Sequence, residues 1–289
     1  MNEWLPDQLE RNQFVHFRTE FMFDRFIPLP RDRQYRILDF GCGQGHSTEV
    51  LLKWFPNARI VGVDFASVLA SYRKLFGNDT RVHAVEMEGA NLRALGDGYD
   101  VIQLNAVFEH LLPHERRELM PDLWRRLAPD GYFIVTETPW RWFPIETHCT
   151  SWPLINYLPS SLALTAFRHC GRFSKSSTIE EALRDGLRGA TVAEIEASLN
   201  GDPGTVQRVY SDRPDARDLL EVWWRGECRE SRQRALAYHL LAFLRRATGL
   251  VVSPWINIVF RKRAVCRPSS DFTAHGLQAA CPKVRSPSP

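Results

Sequence analysis

The run Arg36-Ile-Leu-Asp-Phe-Gly-Cys-Gly-Gln-Gly-His46 constrains this chain more than any other stretch. Ile37, Leu38 and Phe40 are the apolar residues of a short buried strand, glycines 41, 43 and 45 make a turn, and Ser47 to Phe55 read as the helix that follows. Glycine at 41 and 43 permits backbone conformations closed to other residues, so a ligand can lie against main-chain N–H groups at a helix N-terminus. A second apolar strand, Ala58 to Asp64, ends in an acid. It falls roughly 20 residues past the turn, where a carboxylate can accept hydrogen bonds from a ribose diol. Strand, glycine turn, helix, strand and acid together describe a nucleoside-binding βαβ unit.

The turn is G-x-G-x-G, and position 46 is His where a dinucleotide fingerprint wants its third glycine, which argues against a nicotinamide cofactor. With Asp39 just ahead of it, the motif resembles that of the class I S-adenosylmethionine-dependent methyltransferases, an acid, a hydrophobic residue and then G-C-G-x-G. Further residues keep the register. Glu88 and Leu92 follow a third strand, Arg81 to Val85; Asn105-Ala-Val-Phe-Glu-His110 follows a fourth, Val101 to Leu104; and Leu127-Ala-Pro-Asp-Gly131 leads into a fifth, Tyr132 to Glu137. The likeness covers residues 36–137.

It implies a Rossmann-like, seven-stranded, mostly parallel α/β sheet with an antiparallel last strand, and S-adenosyl-L-methionine as the cofactor. Cofactor contacts are implied for Asp39, Gly41, Cys42, Gly43, Gly45, Asp64, Phe65, Met87, Glu88 and Asn105. Asp39 and the glycines would hold the methionine end, Asp64 the ribose, and Glu88 with Met87 the adenine edge. A solvated acidic turn at 86–92 is the competing reading for the last pair. No metal is implied.

Composition sets the class. The 289 residues are 44% hydrophobic and 25% charged, which suits one α/β core with an insertion. A net charge of +3 gives no general nucleic-acid affinity. The six cysteines form no C-x-x-C pair, which fits a reducing compartment, and no apolar run approaches the length of a membrane span. A cytoplasmic protein is expected, with peripheral membrane contact open and the oligomeric state undetermined.

Five segments are expected: a helical lead-in at 1–35, the cofactor-binding core at 36–137, a helical substrate cap at 138–250, a final core strand at 251–265, and a disordered tail at 266–289. The lead-in spaces Leu9, Phe14, Phe17, Phe21 and Ile27 at helical intervals, read as core packing. Ser67 is the expected cap of the helix after Asp64, and Pro113 starts another whose buried face carries Leu119, Met120, Leu123 and Trp124. Capping boxes Ser177/Glu180 and Thr191/Glu194 mark helices at 178–188 and 191–199, beside a helix at 160–170 and a long one within 215–248. In the last, Arg229 to Arg246 mixes arginines with leucines; a solvated basic face over a buried apolar one is preferred to a membrane contact.

Thr138-Pro-Trp-Arg141, Pro144, His148 and Leu158-Pro159 resemble a T-P-N-R, P, H, L-P pattern in a subgroup of these methyltransferases, with Trp140 in place of the Asn. His148 is the candidate base, since neutral imidazole accepts a hydroxyl proton near pH 7, and a structural loop histidine is the alternative. Glu109 and His110 emerge beyond the carboxyl end of the fourth strand, where ligands bind in open α/β sheets. They serve either catalysis or loop order. The expected activity is methyl transfer to a small-molecule, sugar or lipid-linked acceptor, at an oxygen. A protein or RNA acceptor and a silent cofactor-binding module are the alternatives.

Overall fold

The computed structural model of the chain describes residues 8–87, 92, 94–170, 178–199, 205–226 and 231–264. Seven strands form one sheet in the order β3-β2-β1-β4-β5-β7-β6. They are β1 (Arg36–Phe40), β2 (Arg59–Asp64), β3 (Val82–Glu86), β4 (Tyr99–Asn105), β5 (Leu127–Pro139), β6 (Val206–Arg208) and β7 (Trp255–Lys262). The first five run parallel, and β7 is antiparallel to both β5 and β6. Helices α1 (Gln8–Phe26), α2 (His46–Trp54), α3 (Ala66–Phe76) and α4 (Pro113–Arg126) accompany the parallel strands.

Alternation along each strand sends neighbours to opposite faces. Leu38, Ile102, Phe133, Val135, Ile258 and Phe260 pack on one face with Leu119, Met120, Leu123 and Trp124 of α4. Ile37, Ile60, Val101, Tyr132, Ile134 and Val259 pack on the other with Phe21, Met22, Phe23 and Phe26 of α1 and with Leu51 of α2. The second half of the lead-in helix is therefore core, as its spacing suggested. Phe17 is exposed, and Arg18 and Thr19 are buried. Because β1 connects outward to β2 while β4 lies on its other side, the sheet has a switch point between β1 and β4, and the crevice above their carboxyl ends is the place for a ligand.

After β5 the chain forms α5 (Ser160–Cys170), α6 (Ile179–Arg184) and α7 (Val192–Ser198), then β6, α8 (Leu219–Arg225) and α9 (Arg232–Thr248). Cys149, Ile155, Ala163, Phe167, Ala182 and Leu187 make a small core of their own. The stretch expected to be one helical cap over 138–250 thus divides. Residues 206–225 belong to the sheet layer, with Ala216 and Val222 buried beside Val259.

Other details differ from expectation for local reasons. β6 was not foreseen because its three residues are half-buried at an edge, where they pair with β7, Val206 to Lys262 through Arg208 to Phe260. Pairing also carries β7 through the charged pair Arg261 and Lys262. The long helix within 215–248 is two, α8 and α9. Helix α3 begins at Ala66 with Phe65 at its N-cap, so Ser67 lies inside its first turn. The capping box of α6 is Thr178 with Glu181, one residue later than expected, whereas Thr191 with Glu194 caps α7 as read. Glu88, Ser177 and the tail from residue 266 lie outside the described residues.

Phe133 is fully buried between β4 and β7. Phe133→Ala should lower stability by about 3 to 5 kcal/mol, the range for an emptied core aromatic site. By contrast, Phe243→Ala, at a side chain that is 71% exposed, should change it by under about 0.5 kcal/mol. Urea unfolding of both variants checks the pair; equal losses would place Phe243 in a core.

Candidate active site

Gly41, Gly43 and Gly45 take φ of 75°, 55° and 99°, all in the left-handed region. At Gly41 a side chain would also collide with Val107, which follows β4. At Gly43 no protein atom comes within 4 Å of where a Cβ would stand, so backbone conformation alone requires glycine there. Backbone N–H groups of Gly41 and Cys42 donate to Val63 O at 2.8 and 3.1 Å, which stitches the turn to the end of β2.

Asp64 completes the stitching. Its Oδ2 accepts from Gly43 N and its Oδ1 from Phe65 N, both at 2.8 Å. Each oxygen keeps a second acceptor site, and the residue is half-buried, open enough for a diol to approach. Met87 N donates to Asp64 O at 2.9 Å, which sets Met87 beside the acid, while Phe65 is exposed on the other side of it.

Asp39 has a different environment from the one its motif implied. It is fully buried, and its carboxylate is occupied inside the protein: Ser47 Oγ and Thr48 Oγ1 donate to Oδ2 at 2.7 Å each, and Gln103 Nε2 donates to Oδ1 at 3.0 Å. Burial raises its pKa above the ordinary carboxylate value, opposed by these three hydrogen bonds and reinforced by the charge of Asp64. Cys42 likewise points inward, against Leu69, Tyr72 and Phe76, and burial pushes its thiol pKa up. Gln103 was missed by sequence reasoning, since nothing marks a glutamine within an apolar strand as the partner of an acid 64 residues earlier.

Beyond β4 the chain turns sharply at Ala106, φ 55°, into a single 3-10 turn at Phe108–His110. Asn105 Oδ1 accepts from Thr136 Oγ1 at 2.9 Å across to β5. Glu109 is fully buried; its Oε2 accepts from Thr138 Oγ1 at 3.3 Å, and its Oε1 has no hydrogen-bond donor among the described residues. Burial, reinforced by the charge of Glu137, pushes its pKa up to about 8 against the weaker pull of its hydrogen bonds.

His110 Nδ1 lies 2.8 Å from Arg184 O at the end of α6. A carbonyl only accepts, so Nδ1 carries the hydrogen and the neutral ring leaves Nε2 as an acceptor. That nitrogen is 3.8 Å from Glu109 Oε1, and burial lowers the His110 pKa below the usual imidazole value. The His148 ring stands 5.2 Å from that of His110 in an edge-on arrangement and 6.0 Å from that of Trp255. All three proton-transfer candidates read from the sequence are therefore brought together, with ligand atoms of Glu109, His110 and His148 within 4.8 Å of one another.

Three supporting residues escaped sequence reasoning. Glu146, buried, accepts from His148 N at 2.8 Å, Cys149 N at 2.8 Å, Thr150 N at 2.6 Å and Thr150 Oγ1 at 2.9 Å, which fixes the loop that carries His148. Its place two residues before a candidate histidine was the available signal. Gly186, φ 95°, allows both imidazoles to pack against its backbone. Arg18 of α1, buried, pairs with Glu137 at 2.5 Å, at the carboxyl end of β5. Nearer the turn, His16 Nε2 lies 3.2 Å and His46 Nδ1 3.6 Å from Glu49 Oε2, a second group with ligand atoms within 4.8 Å.

Residues 38–133 match the family described as methyltransferase domain. A trans-aconitate 2-methyltransferase of Azoarcus sp. (strain BH72) is 35% identical over 132 residues, 45% of this chain and 49% of that protein. A malonyl-[acyl-carrier protein] O-methyltransferase of Bacillus cereus is 35% identical over 101 residues, 34% of this chain and 36% of that protein. The chain thus spans about half the length, or less, of the curated relatives it matches. The solved structure of an O-methyltransferase family protein from Burkholderia thailandensis superposes with a TM-score of 0.48 at 13% identity, covering 90% of this chain and 57% of that one. The glycine turn, Asp64 and strands β2, β3 and β4 all fall within residues 38–133, so it is the core of the sheet that matches the methyltransferase domain.

Proposed function

We propose that the chain transfers a methyl group from S-adenosylmethionine to an oxygen of a small-molecule, sugar or lipid-linked acceptor, chosen by the region after β5. One observation carries this reading. Val107 packs against Gly41 of the cofactor turn, and Glu109 and His110 follow it directly, which puts the cofactor turn and the proton-handling cluster at the same edge of the sheet. The names of the relatives, one for trans-aconitate and one for an oxygen of a carrier-borne malonyl group, support a small acceptor. Trp142, Trp152 and Tyr157, exposed in the region after β5, would offer apolar surface to its carbon skeleton.

Methyl transfer is a direct displacement at a sulfonium carbon, so the protein has to align the acceptor oxygen with the methyl group and take up a proton. The glycine turn would hold the methionine end, Asp64 the ribose, and Phe65 with Met87 the adenine. Glu88 is kept as a proposed adenine contact from the motif alone, and Asn105 as a contact at the end of β4. Asp39 would act as a positioning residue, holding α2 and β4 to β1.

His110 is the better placed base. Its Nδ1–H is committed to a backbone carbonyl, its Nε2 accepts, and burial keeps the ring neutral at physiological pH. The proton passes from the acceptor hydroxyl to Nε2, and the imidazolium so formed stands 3.8 Å from Glu109 Oε1, an oxygen that can accept from it. His148, held edge-on to His110, would orient the acceptor or share the proton.

Asp64→Ala should weaken both S-adenosylmethionine and its demethylated product by about 1 to 3 kcal/mol, as for lost hydrogen bonds to a charged group. Calorimetry on the folded variant checks it, and unchanged affinity removes Asp64 from the ribose site. For the base, His110→Ala should cut single-turnover methylation by about 10²- to 10⁴-fold with cofactor affinity retained, and His148→Ala should cut it less. The wild-type rate should be level near neutral pH and fall only below the ordinary imidazole value of about 6.5. If His148→Ala has the larger effect, the two roles are reversed.

Glu109 gives a stability test. Its folded pKa of about 8 lies above the unfolded carboxylate value, so the folded state holds the proton more tightly and stability falls as pH rises from about 4.5 to 8. Glu109→Gln should remove on the order of a few kcal/mol of that fall between pH 5 and 9. Urea midpoints at the two pH values decide it; parallel loss in both proteins would mean that Glu109 ionises normally.

A further inference from the structure

Helix α9 is amphipathic with its faces reversed from the usual sense. Arg234 donates to the carbonyls of Trp223 and Trp224, Tyr238 stacks on Trp224 with ring centroids 4.7 Å apart, and Arg245 pairs with Asp218 at 2.7 Å and Glu221 at 3.2 Å. These inward residues recur at helical spacing, and of the helix only Arg234 is buried. On the opposite side Leu236, Leu240, Phe243 and Leu244 are exposed by 62%, 60%, 71% and 38%, and Leu250, just past the helix, by 62%. At about 100° per residue, Leu236, Leu240 and Phe243 fall within roughly 60° of one another. Singly exposed leucines are ordinary on a protein surface, but a contiguous apolar stripe along one helix marks a contact surface.

Charge identifies the partner. Arg232–Thr248 contains four arginines and a histidine and no Asp or Glu. Arg232, His239 and Arg246 are exposed and flank the apolar stripe on one side. Among the described residues, the acids that meet the helix are Asp218 and Glu221, engaged on its inner side by Arg245 and Tyr238. A second copy of the chain is a poor occupant. Two such helices packed antiparallel set Arg232 of one copy near Arg246 of the other, and packed parallel set each arginine near its equivalent, with no acid on either helix to compensate. Residues 265–289 are an equally poor occupant, since they carry Arg267, Lys283 and Arg285 against a single acid, Asp271.

We propose that α9 is an interfacial helix that lies on an anionic lipid bilayer, inserting Leu236, Leu240, Phe243 and Leu250 at the level of the headgroups while Arg232 and Arg246 meet lipid phosphates. No helix among the described residues is long and apolar enough to cross a membrane, so the contact is with the surface. An apolar stripe, arginines at its border and no acid are what such a helix requires.

The test is flotation of the full chain with two kinds of vesicle, phosphatidylcholine alone and phosphatidylcholine mixed with phosphatidylglycerol. Binding is expected to the mixed vesicles, weakly to the neutral ones, and to decline as salt is raised. The double variant Leu240→Asp, Phe243→Asp should bind at least about tenfold more weakly, with melting temperature and cofactor affinity unchanged, since both side chains leave the core untouched. Three results overturn the proposal: no binding to mixed vesicles, equal binding by the double variant, or vesicle binding that appears only after residues 265–289 are deleted. Light scattering is the fourth arm. A wild-type dimer that the double variant converts to monomer, without vesicle binding, gives the surface to a second copy instead.

Discussion

The buried carboxylate of Asp39 is the interaction on which the rest of the site depends. An ionised carboxylate removed from water costs several kcal/mol unless its oxygens are hydrogen-bonded, and here three donors from two other elements supply them. Ser47 and Thr48 belong to the first turn of α2, where backbone N–H groups and the helix dipole also favour negative charge. Gln103 belongs to β4. One side chain thus fixes the start of α2 and the neighbouring strand relative to β1, on both sides of the switch point, and the glycine turn has to span the gap between them. Asp64 then holds that turn from the far side through Gly43. Two acids, one buried and one half-exposed, flank the turn, and the sulfonium ligand proposed for it carries the opposite charge.

The proposed acceptor end is built on different terms. Glu109 and His110 come from the edge of the sheet, whereas His148 and the Arg184 carbonyl come from the region after β5. That carbonyl does more than support the ring, because by accepting from Nδ1 it decides which nitrogen of His110 is basic. The region after β5 therefore sets the protonation pattern of a residue on the core. Glu146 completes the arrangement by tying three backbone amides and a hydroxyl to one buried carboxylate, which holds the His148 loop in a single form.

Much of the core was legible because each of its elements announces itself locally. Ile37 to Phe40, the spaced glycines and Asp64 lie within 28 positions, and their order alone requires strand, turn, helix and strand. The grouping of Glu109 with His148 was legible in outline, since both follow strands whose carboxyl ends line one edge. What could not be read are relations made across distance. The Asp39 to Gln103 bond, the Arg18 to Glu137 pair and the Arg184 carbonyl each join residues 64 or more positions apart, and none has a sequence signature. β6 escaped for a related reason: Val206–Arg208 has neither length nor alternation, and it is a strand only because β7 offers it an edge.

Helix α9 shows how a correct periodicity can leave the sidedness open. Its leucines and arginines alternate as an amphipathic helix should, and a helical wheel cannot say which face meets the protein. The inward face was settled by α8, which presents two tryptophan carbonyls, the Trp224 ring, Asp218 and Glu221, partners suited to guanidinium and phenol and poorly suited to leucine. Once Arg234, Tyr238 and Arg245 are drawn to those groups, the leucines have nowhere to turn but outward. The chain then runs only from Gly249 to Pro254 before Trp255, whose ring packs on His148. A surface that held α9 would therefore be connected by six residues to Trp255 beside His148, the arrangement that an acceptor delivered from a lipid surface would need.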